Sequence, residues 1–215
     1  QINLTDQPET LLQILGGRGQ YGIITRGCSG DVISADKYSF EEVSVTLDHR
    51  PSQHLRIGIR THFVSGVDPF GGGSPGKFNS FVTNPYAALE SSYFGFELGA
   101  QFRNHPLPSA GGPSSLSPIT AEVRVGRLPF MWTVSGLSGT PLVSSSYFQT
   151  GFGVGSQNAN AWIGTGAGPF DAFGMIVKAN LKLASPVYLN TVFRSGRSEG
   201  VSENAIGLGL TFNLQ

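Results

Sequence analysis

The sequence predicts an all-β chain, an antiparallel up-and-down transmembrane β-barrel of ten strands, or alternatively eight, with a short helix in front of it. Three observations carry this. First, the C-terminal part of the chain repeats one alternation three times: Phe173, Met175, Val177, Ala179, Leu181 and Leu183, then Val187, Leu189, Thr191 and Phe193, then Ile206, Leu208, Leu210, Phe212 and Leu214. Successive side chains of a strand point to opposite faces, so a sustained period of two is a strand signal and excludes a helix. Second, the intervening row is Gly, Asn, Thr and Lys, broken by the apolar Ile176 and Val192. A soluble sandwich turns a highly charged face to water, whereas a membrane barrel turns its apolar face to lipid and packs small polar residues inside. Third, charged residues are 13% of 215, against a norm of about 25%, and 30 residues are glycine.

The same alternation runs through the rest of the chain. Val43, Val45 and Leu47 oppose Glu42, Ser44, Thr46 and Asp48; Leu55, Ile57, Ile59 and Phe63 oppose Arg56, Gly58, Arg60 and His62. Phe94, Phe96, Leu98, Ala100 and Phe102 oppose Gly95, Glu97, Gly99, Gln101 and Arg103, and Ile119, Ala121, Val123 and Val125 oppose Thr120, Glu122, Arg124 and Gly126. Further strands are expected at residues 20–28, 147–155 and 160–166. Residues 66–91 and 127–145 read as long loops, as do the polar connection at 29–38 and the Pro-, Ser- and Gly-rich stretch 104–118. With ten strands the last of these falls on the side of the short turns, where a long loop does not belong.

The N-terminus differs. Thr5 or Asp6 can cap, Pro8 suits a first turn, and Leu11, Leu12, Ile14 and Leu15 precede Gly16-Gly17; this spacing predicts a helix within residues 1–17 ahead of a barrel domain at 18–215. So short a helix must dock on something, which makes residues 8–15 a candidate contact for a protein partner, along with the loops 66–91 and 127–145.

Formal net charge is zero, so no basic footprint for nucleic acid is present. No run of about 18 apolar residues marks a spanning helix, which leaves a β-barrel open because its strands need only ~9–11 residues. A first residue Gln1 fits an export signal already cleaved. Cys28, the single cysteine, excludes an intramolecular disulfide.

These strands, with the ending from Ala205 to Gln215, resemble the small outer-membrane β-barrels of Gram-negative bacteria. The resemblance implies residence in the outer membrane, lipid as the immediate partner, and a terminal strand of the kind the assembly machinery reads. Such strands usually end on an aromatic residue, whereas here Phe212 is followed by three more.

The inward row is then Glu42, Asp48, Arg56, Arg60, His62, Glu97, Gln101, Arg103, Glu122, Arg124, Lys178, Lys182, Asn190 and Arg194. Both signs share neighbouring strands, and in a narrow barrel they must pair; Arg60, Glu97, Glu122 and Arg124 are expected to form one network that closes the lumen. The expected function is a non-enzymatic structural, adhesive or scaffold subunit of the envelope. The alternatives are a narrow passive channel for small solutes and a soluble carbohydrate-binding β-sandwich. No His, Cys or carboxylate cluster has metal-ligand spacing and no cofactor motif is expected. Of His49, His54, His62 and His105, only His62 is placed to meet a loop serine, as in lipid-A-deacylating barrels, and the His-x-Ser-Asn stretch of those enzymes is missing. Tyr93, Phe94, Phe130, Trp132, Tyr147, Phe148, Trp162 and Phe170 are expected in interfacial girdles.

Overall fold

A computed structural model describes residues 9–68, 76–103, 119–137, 148–167, 173–198 and 201–214, apart from residues 27, 30, 128 and 157. Among them the chain forms a single closed sheet. Its strands are β1 (Glu9–Arg26), β2 (Val32–Ser52), β3 (Leu55–Asp68), β4 (Gly76–Glu90), β5 (Phe94–Ala100 and Phe102–Arg103), β6 (Ile119–Arg127), β7 (Phe130–Leu137), β8 (Phe148–Gly155), β9 (Ala159–Ala167), β10 (Phe173–Ala184), β11 (Val187–Ser198) and β12 (Val201–Leu214). The two pieces of β5 are one strand, so the barrel has twelve. Each strand pairs antiparallel with its sequence neighbours, and β1 closes on β12 in a ladder running from Thr10↔Leu214 to Ile23↔Val201. No strand edge is left open along that seam, which a membrane barrel requires because lipid offers no hydrogen bonds.

Twelve strands replace the ten, or eight, expected from the sequence, and no helix precedes them: two strands lie in expected loops, and the expected helix is the start of a third. Residues 9–17 are the start of β1, paired on both sides with β2 and β12, and not a helix. Leu11 and Leu15 face the lumen while Leu12 and Ile14 face outward, and this mixture imitates helical spacing. The loop expected at 66–91 contains β4, and that at 127–145 contains β7. In β4 the inward row holds Val82, Tyr86 and Ala88 beside Ser80 and Asn84, so both faces are partly apolar and the period-two signal vanishes. In β7 inward Met131 has the same effect between Phe130 and Trp132. Residues 9–15 are thus built into the wall and form no separate docking helix; Pro8 lies outside the described residues.

The two added strands also repair the connectivity. Residues 53–54, 91–93, 128–129, 156–158 and 185–186 join strands at the end that carries both termini. The longer connections, including 69–75, 104–118 and 138–147, lie outside the described residues and all join strands at the opposite end. Thus 104–118 falls on the long-loop side. Two glycines sit where strands enter tight turns with positive φ, Gly126 (φ 92°) and Gly155 (φ 124°), a conformation that side chains with Cβ resist.

The outer face is apolar. Ile57, Ile59, Phe96, Leu98, Phe152, Ile163, Leu181, Ile206 and Leu208 are among the large hydrophobics exposed there, while the buried residues Val64, Val82, Glu97, Arg194 and Glu203 lie inside. A water-soluble protein does not expose apolar surface on this scale, and the described residues form one closed sheet in place of two packed ones, so the soluble β-sandwich is excluded. Tyr93, Phe94, Phe130 and Phe148 stand exposed near strand ends, as a girdle requires. Trp162 does not: it is buried and points inward, its Nε1 donating to Thr133 Oγ1 at 2.7 Å. Tyr147 and Phe170 lie outside the described residues.

Candidate functional site: a polar lumen with a charged cluster at its turn end

The lumen is organised around two arginines of β3. Arg60 donates through both terminal nitrogens to Glu97 of β5, at 2.6 and 2.8 Å, in the bidentate geometry that makes such pairs strong. Arg56, two places nearer the turn in the same inward row, spreads over three carboxylates: Nη1 to Asp48 at 3.0 Å, Nε to Glu90 at 3.1 Å and Nη2 to Glu97 at 2.9 Å. Arg50 of β2 reaches Glu90 at 2.8 Å and lies 3.9 Å from Glu9. Tyr86 backs the pair, with the Arg60 guanidinium 3.8 Å and the Arg56 guanidinium 5.4 Å from its ring centroid. Gly58 makes room for that ring: a Cβ there would strike the Tyr86 hydroxyl. The cluster therefore spans β1 to β5 at the turn end.

Arg60 and Glu97 do meet, but Glu122 and Arg124 do not join them. Glu122 stands directly across from Glu97 in the β5–β6 register, a like charge, and makes no ion pair among the described residues. Arg124 leans over Gly95, where a Cβ would lie 3.0 Å from its Nε, and donates from Nη2 to the Ser91 carbonyl at 3.4 Å. Their places are taken by Asp48, Arg56, Glu90 and Arg50. The last two sit at strand ends that the sequence reading assigned to a turn and a loop. Carrying the inward parity of β2 two residues past Asp48 reaches Arg50.

The remaining inward residues spread along the barrel. Glu42 accepts from His62 Nδ1 at 2.7 Å, and Arg194 donates to Glu203 at 3.0 Å. Lys178 meets Gln149 Oε1 at 3.3 Å and lies 4.8 Å from the Trp162 ring. Asn190 donates to Thr211 at 2.8 Å, and Gln101 is buried opposite β4. The other described histidines, His49 and His54, bond Thr10 Oγ1 and the Glu90 carbonyl, each at 3.0 Å. Among the described residues no histidine ring is hydrogen-bonded to a serine hydroxyl, and no group of His, Cys, Asp or Glu is placed to hold a metal. His105 lies outside the described residues.

Cavities remain between these side chains. One of about 240 Å³ lies among Arg50, Arg56, Glu97 and Arg124 at the turn end. A second of about 170 Å³ is bordered by Gln13, Asn160, Asn180 and Thr211. A third of about 310 Å³ sits farther from the turns, among Glu42, His62, Lys178 and Arg194.

A closed antiparallel barrel with an apolar outer belt, a polar interior, and short turns at the end bearing both termini defines an outer-membrane β-barrel protein. No protein-family model matches the sequence, and no curated protein matches it either. Among solved structures, the outer membrane phospholipase A of Escherichia coli aligns with a TM-score of 0.47 at 11% identity, covering 96% of this chain and 90% of that one. The Salmonella typhi phospholipase, a dimer with bound calcium, gives 0.45 at 11% identity, over 92% and 90%. A mutant Rh. blastica porin gives 0.40 at 9% identity, over 94% and 100%. A likeness at this level says nothing about activity.

Proposed function

We propose that this chain is an outer-membrane barrel kept closed at its turn end by its own side chains, acting as a structural or adhesive scaffold of the envelope. The carrying observation is the cluster in which Arg56 binds Asp48, Glu90 and Glu97 while Arg60 binds Glu97 again. An eight-stranded barrel is just filled by side chains, and diameter grows with strand number. Twelve strands would leave a water column unless something fills it, and the long inward side chains of this cluster, held in pairs on β1 to β5, support such a filling. What then remains for a partner protein is the outer wall of the barrel.

The test is conductance in planar bilayers. The expected result is no steady single-channel step for the wild type and leak through Glu97→Ala, in which both arginines lose their shared carboxylate. A steady wild-type conductance would instead assign the barrel as a narrow passive channel for small solutes.

A further inference from the structure

We infer that the 310 Å³ cavity is a binding chamber for a small solute bearing a carboxylate or phosphate group, with Lys178 as its anchor. The inference rests on the reading of the polar face as the lumen, and it stands whether or not the turn end conducts.

Four basic residues border this cavity, Arg60, Lys178 and Arg194 with inward side chains and Arg18 with an exposed one, against one carboxylate, Glu42, which His62 already engages at 2.7 Å. Arg60 and Arg194 are neutralised from behind by Glu97 and Glu203, which do not line it. Lys178 has no ion pair among the described residues: its contacts are a neutral amide oxygen at 3.3 Å and an indole ring, and Glu122, the carboxylate that acts on it electrostatically, makes no contact with it and does not line the cavity. An ammonium has three donors, and a desolvated cation without a counter-charge is costly. An oxyanion in the cavity supplies what the wall withholds.

The space itself is built by small residues. On the β12 and β1 side the cavity is lined by Ala205, Gly207 and Gly17 together with Leu15 and Gln13, so three of these five inward positions carry a methyl group or no side chain. A Cβ at Gly207 would meet only the end of the Leu15 side chain, at 3.2 Å, and a backbone oxygen at 3.6 Å. The glycine there leaves volume open and is not demanded by a backbone clash. Below it Gln13, Asn180 and Asn190 offer amides to the remainder of a polar solute. The volume is at the lower end of the ~300–1,000 Å³ usual for small-molecule sites, so the ligand is small.

Titration calorimetry on the detergent-refolded barrel, at low ionic strength, tests this with inorganic phosphate and with lactate as separate probes. The expected result is saturable binding of at least one, weakened by sodium chloride, and weakened about tenfold or more in Lys178→Gln through loss of a charge-assisted bond. The better of the two probes tells phosphate from carboxylate. Gly207→Val should weaken binding by filling the chamber with the charge untouched, and gel mobility before and after boiling checks that both variants are folded. The inference is overturned if neither probe binds the folded wild type, or if a folded Lys178→Gln or Gly207→Val binds as the wild type does. Conductance is read separately: a steady current would sink the closed-lumen proposal and leave the chamber standing.

Discussion

Glu97 of β5 accepts both terminal nitrogens of Arg60, at 2.6 and 2.8 Å, and a third bond from Arg56 at 2.9 Å. It is only 5% exposed, so water cannot replace it. Removing one partner of a buried ion pair costs ~3–5 kcal/mol, because the other charge is left unpaired. Glu97→Ala should therefore lower unfolding stability in detergent or lipid by that amount. The double change with Arg60→Ala should recover part of the loss, since one of the stranded cations is gone. Strictly additive losses in this cycle, measured by urea unfolding, would show that the two residues do not interact.

Leu98, one position on, points the other way. It is half exposed and sits in register with Ala87 of β4 and Ala121 of β6, two small neighbours on the outer wall. Arginine at a lipid-facing mid-strand position costs ~2–4 kcal/mol, so Leu98→Arg should fold poorly into vesicles while Leu98→Ala inserts. If Leu98→Arg inserted into lipid as well as the wild type, the outer belt would not be in membrane. The same replacement at Gly95 should act differently, by displacing the Arg124 guanidinium inside the barrel.

The seam between first and last strand makes a third prediction. A Cβ at Gly209 of β12 would run into the Ile14 carbonyl and lie 2.6 Å from the Leu15 Cα of β1, all backbone that cannot swing aside. Gly16 of β1 has nothing within 4 Å of the same construction. Gly209→Ala should thus open or weaken the closing ladder and Gly16→Ala should not, although both add one methyl. Mobility of unboiled samples on gels reads the difference. Equal behaviour of the two variants would mean that the β1–β12 seam is not packed as described.

The outer rows were legible in the sequence and the inner ones only partly, for a physical reason. Lipid tolerates no charge, so Ile57-x-Ile59 and Phe96-x-Leu98 alternate strictly and announce their strands. The interior may be filled by anything that packs. Where it holds Leu11 and Leu15, Val82 and Tyr86, or Met131, the alternation fails, and with it the first turn of β1 and the whole of β4 and β7. Arg56, Arg60 and Glu97 could be read as inward from their strands alone. That Arg56 would choose Glu90 and Asp48 could not, because Glu90 ends a strand whose existence the pattern hid. Pro85 hid it further, since proline argues against a strand interior.

Pro85 itself is placed where its missing donor is felt on one side only. The Glu90 amide donates toward β3, to the His54 carbonyl at 2.8 Å. Backbone groups alternate sides along a strand, so the odd-numbered residues of β4, Pro85 included, present theirs to β5. The ladder there runs through Tyr86↔Gly99, lapses opposite Pro85 at Ala100 and Gln101, and resumes at Thr83↔Phe102. The β3 side is unbroken through Ile59↔Pro85. Replacing the proline by threonine should therefore supply the missing amide to the Ala100 carbonyl and make β5 continuous to Arg103. A net hydrogen bond contributes ~0.5–1.5 kcal/mol, and the lost stiffness of the unfolded chain offsets ~0.4–1 kcal/mol of it, so global stability should hardly move. Amide exchange is the better readout: the new amide at position 85 should be protected, and the Phe102 amide, which faces Thr83 in the same ladder, should exchange more slowly than in the wild type. An unprotected amide at position 85 with unchanged exchange at Phe102 would mean that the interruption of β5 has another cause than the proline facing it.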